Sequence, residues 1–359
     1  MNNIYSHSII IDNGSAFCRV GYSSDNIPKY SFPSPVLRQK YSRNQISEED
    51  YLIKYPIQNS KIVDFDTMES VWHNAFYNYL NTIPDESSIL ITSYLSTQRK
   101  EKEKITQIMF ETFNISQFNI QIQSILSLIS SGKTTGFIVD SGNDTTYFVP
   151  IYQGYKLNIN DNFCNIAGKS CSIYLNHLFT QSNQKRIENL EILDYIKEQY
   201  CYLTQETQQE LQNQLQDPFK PIVYELPDGS HLQFGIQILQ SPQIIYNPNI
   251  YFNTSLGYHQ LALNSIEQIE SDLKIPLLRN TMISGGNSFI RGFSERFIFE
   301  FNKISDQRYF EQLNITKSQK FSAWIGGCII ANLAQNSNLW ISRNDYDEYG
   351  PNIVQIKCF

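Results

Sequence analysis

The 359-residue sequence has no C-x-x-C pair, no block rich in Lys and Arg, and no long apolar run free of polar interruptions. Its six cysteines (Cys18, Cys164, Cys171, Cys201, Cys328, Cys358) are dispersed, which reads as reduced thiols of an intracellular protein and excludes a disulfide frame or a zinc site. The missing basic block, with a formal charge of −7 and a pI near 5.3, argues against direct nucleic-acid binding. No charged n-region followed by an apolar h-region opens the chain, so neither secretion nor membrane spanning is expected. The Asn-x-Ser/Thr triplets at Asn114, Asn253 and Asn314 are then accidents of an amide-rich composition and should carry no sugar. What remains, 41% apolar and 18% charged residues, fits a globular chain long enough for two lobes, each with its own core.

The most informative stretch runs from Thr135 to Tyr155. Phe137, Ile138 and Val139 meet Asp140, Ser141 and Gly142, after which a second β-rich run covers Thr145 to Ile151. The pattern predicts strand, tight turn, strand. It recurs at the start of the chain, where Ile9, Ile10 and Ile11 meet Asp12, Asn13, Gly14 and Ser15 ahead of Phe17, Val20 and Gly21. Successive N–H groups around such a glycine turn suit a phosphate, and the carboxylate at the strand end can hold a hydrated Mg²⁺. A lone D-x-G occurs in ordinary hairpins; two copies point to a phosphate and metal site.

Along the chain, Phe32-Pro33-Ser34-Pro35 precedes a charged stretch from Arg38 to Asp50, read as a small exposed loop or subdomain that Tyr55-Pro56-Ile57 ends. Asp66 and Glu69 have the form of a capping box. Val71, Trp72, Ala75, Phe76, Tyr79 and Leu80 then repeat at helical spacing, as core. A buried strand is predicted at Ile89–Ile91 and a helix from Thr97 with Ile105, Ile108, Met109 and Phe113 on one face. This alternation indicates an α/β lobe. Ala167-Gly168-Lys169 opens another helical segment, and a long helix is expected at Ile187–Tyr200, where Lys197 and Glu198 read as a solvated face. Tyr224 to Gly229 is a β-turn between strands. Thr281-Met282-Ile283 ends in Ser284-Gly285-Gly286, whose glycines either let a flat ring slide against backbone or serve tight packing. Trp324 to Ile330 reads as a buried helix whose Gly326 and Gly327 allow close approach.

These residues together resemble actin and the actin-related proteins, essentially end to end. The resemblance rests on Asp12-Asn13-Gly14-Ser15, Ile105 to Asn114, Ser131 to Gly136, Asp140-Ser141-Gly142 with Val149-Pro150-Ile151-Tyr152, the Tyr224 to Gly229 turn, Ser284-Gly285-Gly286, Trp324-Ile325-Gly326-Gly327, Tyr346-Asp347-Glu348 and the tail through Lys357-Cys358-Phe359. It implies an α/β, actin-like fold of two related lobes around a nucleotide cleft, with four subdomains. Their expected bounds are 1–33 with 56–130 and 322–359, then 34–55, then 131–166 with 254–321, and 167–253.

The resemblance also implies ATP or ADP with Mg²⁺ or Ca²⁺ as cofactors. Asp12 and Asp140 match the acids that hold the ion through water; Asn13, Gly14, Ser15, Ser141, Gly142 and Asn143 match the phosphate turns. Lys197 and Glu198 fall where the family contacts sugar and base, and Gly285, Gly286 and Lys320 where it encloses the adenosine. Gln123 matches the glutamine that positions the attacking water, with Asp140 and Tyr147 completing the catalytic set. Catalysis of phosphoryl transfer is mostly positioning and charge stabilisation.

Departures from the family pattern cluster at the same places. Arg19 replaces the phosphate-binding lysine, a change from a compact ammonium to a planar fork. Ala16 replaces a glycine, Asn143 and Asp144 replace an acid and a glycine, Tyr147 a histidine, Ile290 the tyrosine against adenine, and Asn59 the methylated histidine. The expectation is retained binding with at most slow ATPase activity. Between Pro35 and Tyr55 the chain is shorter than actin where one filament protomer grips the next, so poor homopolymerisation is expected. The partner cleft has counterparts in Ile129, Ser130, Gly132, Thr134, Ile325 and Ile329. A subunit or adaptor that takes partner helices, from dynein-arm or other cytoskeletal proteins, in a cytoplasmic, cytoskeletal or ciliary axonemal setting is therefore expected. The nucleus, through chromatin-remodelling assemblies, stays among the compartments. The rivals are a filament-forming actin ATPase using Gln123 and the two aspartates, and a sugar kinase of the same superfamily, which the actin-like tail disfavours.

Overall fold

Three isoleucines organise the first sheet. The computed structural model describes residues 8–39, 51–160, 162–182, 186–205, 221–253, 256–306, 309, 312–318, 320–334 and 338–358. The chain falls into one unit of Met1–Thr134 with Phe321–Phe359 and another of Thr135–Lys320. In the first unit, β1 (Ile9–Asn13), β2 (Phe17–Tyr22), β3 (Tyr30–Pro33), β4 (Ser88–Ser93) and β5 (Gln117–Ile122) lie in the order β5-β4-β1-β2-β3, with the short strand Ile341–Ser342 beyond β5. β1 runs antiparallel to β2 and parallel to β4. Side chains alternate across a strand. Ile9 and Ile11 accordingly enter a core with Trp72, Phe76, Met109 and Phe118, whereas Ile10 meets Leu90, Leu126 and Trp324 on the other face. A strand covered on both faces reads as an unbroken apolar run.

Helix α1 (Phe65–His73) passes into a π-helical turn, Asn74–Tyr79. Val71, Trp72, Ala75, Phe76 and Leu80 are buried as their spacing predicts, and Tyr79 is partly buried. The cap lies two residues earlier than Asp66 and Glu69 suggest. Asp64, in extended backbone, accepts the Thr67 N–H at 2.9 Å and the Thr67 hydroxyl at 2.7 Å, while Asp66 already sits in the first turn. Helix α2 (Arg99–Glu111) buries Ile105, Ile108 and Met109; Phe113 is buried beyond its end. On the opposite face, α3 (Gln123–Ser130) packs against the helix Ser322–Leu333, where a Cβ on Gly326 would lie 1.9 Å from the Leu126 carbonyl oxygen. The charged stretch after Pro35 is seen only at its borders, Val36–Gln39 paired antiparallel with Tyr51–Lys54; residues 40–50 lie outside the described residues.

The carboxyl-terminal tail is tied down by one carboxylate. Asp345 accepts the Ser342 N–H and hydroxyl and the Lys357 ammonium, the last at 2.6 Å. These donors, Lys357 foremost, hold its carboxyl at about 2, below the ordinary 3.8. A carboxyl with a depressed folded pKa adds stability that is complete above the unfolded value and is lost as pH falls through the folded one. Acidification from pH 4 to pH 2 is therefore expected to loosen the tail. Amide exchange of residues 343–358 should rise across that window, and in Asp345→Asn it should already be raised at pH 7 with no further step.

In the second unit, β6 (Gly136–Ser141) pairs antiparallel with β7 (Thr146–Tyr152) and parallel with β8 (Thr281–Ser284), which pairs parallel with β9 (Ile315–Lys317). The first unit has the same scheme, in which β1 pairs antiparallel with β2 and parallel with β4, and β4 parallel with β5. Phe137, Val139, Phe148 and Ile283 fill one core with Tyr258, Phe293 and Phe297. A separate core, with Leu175, Phe179, Leu193, Ile196 and Phe234, joins α4 (Gly168–Gln181) and α5 (Leu190–Tyr200) to the hairpin Ile222–Glu225/His231–Phe234. The six cysteines are all free. Burial pushes the Cys171 and Cys328 thiols up to about 12, which leaves them unreactive. Among the described residues no helix is long and apolar enough to cross a membrane.

Candidate functional site

Each unit ends its central strands in polar residues. In the first, the Asp12 side chain is 5% exposed, at the end of β1. Its Oδ1 accepts the Thr92 hydroxyl at 2.8 Å, from the end of the parallel neighbour β4, and the Gln123 carboxamide at 3.0 Å, from the first residue of α3. Its Oδ2 accepts an Arg19 N–H at 3.0 Å. The same Gln123 nitrogen reaches the Asn13 carbonyl at 2.9 Å and the Thr92 oxygen at 3.0 Å, so two hydrogens serve three acceptors. Asn13 receives the Trp72 indole N–H on its side chain and gives its own N–H to Thr92.

The second unit repeats this plan. Asp140, partly buried at the end of β6, accepts the Ser284 hydroxyl at 2.9 Å from the end of the parallel neighbour β8. The hairpins close alike. Gly14 N–H donates to the Phe17 carbonyl and Gly142 N–H to the Thr145 carbonyl, each at 3.1 Å. Register places Arg19 opposite Asp12 and Tyr147 opposite Asp140, seven residues on in both copies. Tyr147 is buried beside Phe163, at 6.0 Å between ring centroids.

Sequence reasoning missed the groups that hold the second turn. Asn287, 4% exposed, donates to the Ser141 hydroxyl at 3.0 Å and the Gly142 carbonyl at 2.7 Å. The buried Tyr258 hydroxyl bonds the Ile166 carbonyl at 2.6 Å and meets Thr146 at 2.5 Å. Gly285 has φ +84°, and a Cβ there would stand 2.1 Å from the Ser141 carbonyl oxygen, so its role is tight packing; around Gly286 there is open space. Strand ends mark Thr92 and Ser284, since Ile89-Leu90-Ile91 runs into Thr92-Ser93 and Met282-Ile283 into Ser284, but no local pattern marks Asn287 or Tyr258. Ligands of α/β sheets bind off the carboxyl ends of such strands.

Lys197 is not on a solvated face. It is 5% exposed, and its ammonium donates to the Gly168 carbonyl, the Ser172 hydroxyl and the Asp194 carboxylate at 3.0, 3.0 and 2.7 Å. An ammonium has three donors, and all are engaged. Its neighbour Glu198 is exposed. Ile290 lies in the second unit's core, and Lys320 is exposed at that unit's end. In the first unit Ile129 and Ser130 lie on α3, Gly132 and Thr134 just past it, and Ile325 and Ile329 on the helix packed against it; Gly132 and Thr134 are exposed, the others partly buried.

The turns fit an anion. Among the described residues the backbone N–H groups of Ser15, Ala16 and Asn143 find no acceptor in the chain, the arrangement that lets a turn take a phosphate. Carboxylate and carboxamide oxygens are the hard ligands that Mg²⁺ or Ca²⁺ takes, directly or through water. Among the described residues no group of three or more His, Cys, Asp or Glu side chains could hold an ion.

The sequence model of the actin family matches residues 5–359. An actin-like protein of Neurospora crassa is 31% identical over 377 residues, covering 99% of this chain and 99% of that protein.

Proposed function

Because the chain belongs to the actin family, whose members typically bind nucleotide with a divalent cation, we propose that it binds ATP or ADP with Mg²⁺ or Ca²⁺ and works as a structural subunit or adaptor of a larger cytoskeletal or motor assembly. The supporting observation is the duplicated hairpin, with an acid at each strand end, the same glycine closure, and open N–H groups beside it. In this reading the turns at Asn13–Ser15 and Ser141–Asn143 take the phosphates, Gly286 leaves room for the adenosine, and Asp12 and Asp140 face the ion's water shell. The bound ion supplies charge neutralisation for the phosphates. Glu198 is the exposed polar group for the sugar, while Lys197 positions α4 from beneath.

Hydrolysis is slow or absent in this reading. The Gln123 nitrogen is engaged by Asp12, Asn13 and Thr92, and opposite Asp140 stands a phenol packed on Phe163 rather than an imidazole able to move a proton near neutral pH. Partner helices dock along Ile129, Ser130, Gly132, Thr134, Ile325 and Ile329 in a cytoplasmic or cytoskeletal setting, the ciliary axoneme included. Nucleotide extracted from the purified protein should be ATP or ADP, and phosphate release in Mg²⁺ should be slow and uncoupled from sedimentation. Polymerisation coupled to brisk release would overturn this reading in favour of a filament ATPase.

A further inference from the structure

A buried imidazole sits at the start of the helix that reaches the second turn. His259 is the second residue of α6 (Tyr258–Glu267) and is 8% exposed, and its Nδ1 meets no hydrogen-bond partner. The ring is pressed against the chain entering the helix: a Cβ on Gly257 would stand 2.9 Å from His259 Cε1. From α7 (Phe293–Ile304), packed on α6, the charges of Arg296, Glu300 and Lys303 act on it. Glu300 is already engaged, by Arg296 at 2.6 Å and Lys303 at 3.8 Å. The titratable groups on the other packed elements bring no charge. The Tyr246 ring lies 6.0 Å from the imidazole, and Cys164 stands on the strand Asn162–Cys164 beside α6; burial keeps both protonated. A neutral imidazole can leave Nδ1 bare, but imidazolium carries a proton on both nitrogens and would bury an N–H without an acceptor. Burial foremost, with the Arg296 and Lys303 cations, holds the ring below the ordinary 6.5 against the pull of Glu300. The positive end of the helix dipole acts in the same direction.

We propose that His259 is a pH-sensitive latch on the first turn of α6: neutral, it seats that turn against α7, and protonated, it unseats the turn and loosens the second glycine turn. A base with a depressed folded pKa adds stability that is complete above the unfolded value and is lost as pH falls below it. The connection runs through the preceding residue, Tyr258, whose hydroxyl bonds the Ile166 carbonyl at 2.6 Å and meets Thr146 at 2.5 Å and Ser141 at 3.4 Å. Further along α6, Ser265 donates to the Phe148 carbonyl at 3.0 Å, so the far end of the helix stays on β7 while its start lifts. The consequence for nucleotide rests on the reading above; the movement of α6 does not.

The test uses the full chain in two arms. In the first, amide exchange of Gly257, Gln260 and Leu261, whose N–H groups are hydrogen-bonded in that turn, is corrected for the intrinsic rate and followed from pH 7.5 to pH 5 in wild type, His259→Gln and Lys303→Gln. Wild-type protection should fall by roughly tenfold or more as pH drops below about 6.5, and His259→Gln, which cannot take the proton, should show no step. Lys303, 55% exposed, can be changed without loss of the fold, and Lys303→Gln should move the step to higher pH because one opposing cation is gone. A flat wild-type profile, a step kept in His259→Gln, or a step that Lys303→Gln leaves in place or lowers overturns the proposal; should His259→Gln fail to fold, the Lys303→Gln shift decides. The second arm measures ATP affinity at pH 7.5 and pH 5.5, where the variant accounts for protonation of the nucleotide itself. Wild type should lose roughly fivefold more than His259→Gln. Equal losses overturn the link to the second turn, and ATP bound at neither pH sinks the nucleotide reading, while the exchange profile still decides the latch.

Discussion

Replacing Gly326 with valine is expected to destabilise the first unit by on the order of 4 kcal/mol or more, the range reserved for gross overpacking. Two opposing effects act at this position. Glycine inside the helix Ser322–Leu333 costs about 1 kcal/mol against alanine through backbone entropy, so adding a side chain has something to gain. The gain is outweighed, because the new Cβ would lie 1.9 Å from the Leu126 carbonyl oxygen, 2.5 Å from its carbon and 2.8 Å from its Cα. These are backbone atoms inside α3 and cannot rotate aside. Urea unfolding monitored by far-ultraviolet circular dichroism measures the loss. Gly286→Ala is the control: a Cβ there meets nothing within 4 Å, and its midpoint should move by no more than about 0.5 kcal/mol. A Gly326→Val protein as stable as wild type would mean that α3 and its partner helix do not approach as described.

Lys197→Met should cost about 3 kcal/mol, the lower end of what removing one partner from a buried ion pair costs. The cation holds the Gly168 carbonyl at the start of α4, the Ser172 hydroxyl one turn on, and Asp194 of α5. Methionine fills the volume but leaves Asp194, 27% exposed, without its charge partner. Lys197→Met combined with Asp194→Leu should recover most of the loss, since an apolar pair can replace a buried ionic one at little cost. If Lys197 served the nucleotide directly, Lys197→Met would instead weaken ATP binding and leave the unfolding midpoint unchanged.

What could be read beforehand, and what could not, follows from the range of the interactions. Both strand-turn-strand elements were legible because an apolar run broken by an acid and a glycine needs only neighbouring residues to specify it. The buried helix at Trp324 was legible for the same reason, its glycines announcing close packing. The cap of α1 was misplaced by two residues, since Asp64 and Asp66 are equally plausible on composition and only backbone conformation separates them. The π-helical turn at Asn74–Tyr79 is invisible to periodicity, which fits either helix over one turn. Lys197 looked solvated beside Glu198 because its acceptors arrive from Gly168 and Ser172, residues 29 and 25 positions away. The Asp12–Arg19 pair falls between these cases. Its spacing of seven is printed twice in the sequence, but pairing requires the closure from Gly14 N–H to the Phe17 carbonyl to set the register.

One arrangement gives the protein an optical readout of its own. The sequence has three tryptophans, and two of them end their indole N–H groups on β1, Trp72 on the Asn13 side chain and Trp324 on the Ile10 carbonyl, both at 3.1 Å. Indole emission shifts in wavelength and lifetime with the polarity and hydrogen bonding around the ring. Trp72 therefore looks directly at the residue next to Asp12, with Trp324 as a reference three residues back along the same strand. Filling or emptying of the first turn can be followed in unlabelled protein by ultraviolet fluorescence, and Trp324→Phe combined with Trp340→Phe would leave Trp72 as the one indole reporting on that turn.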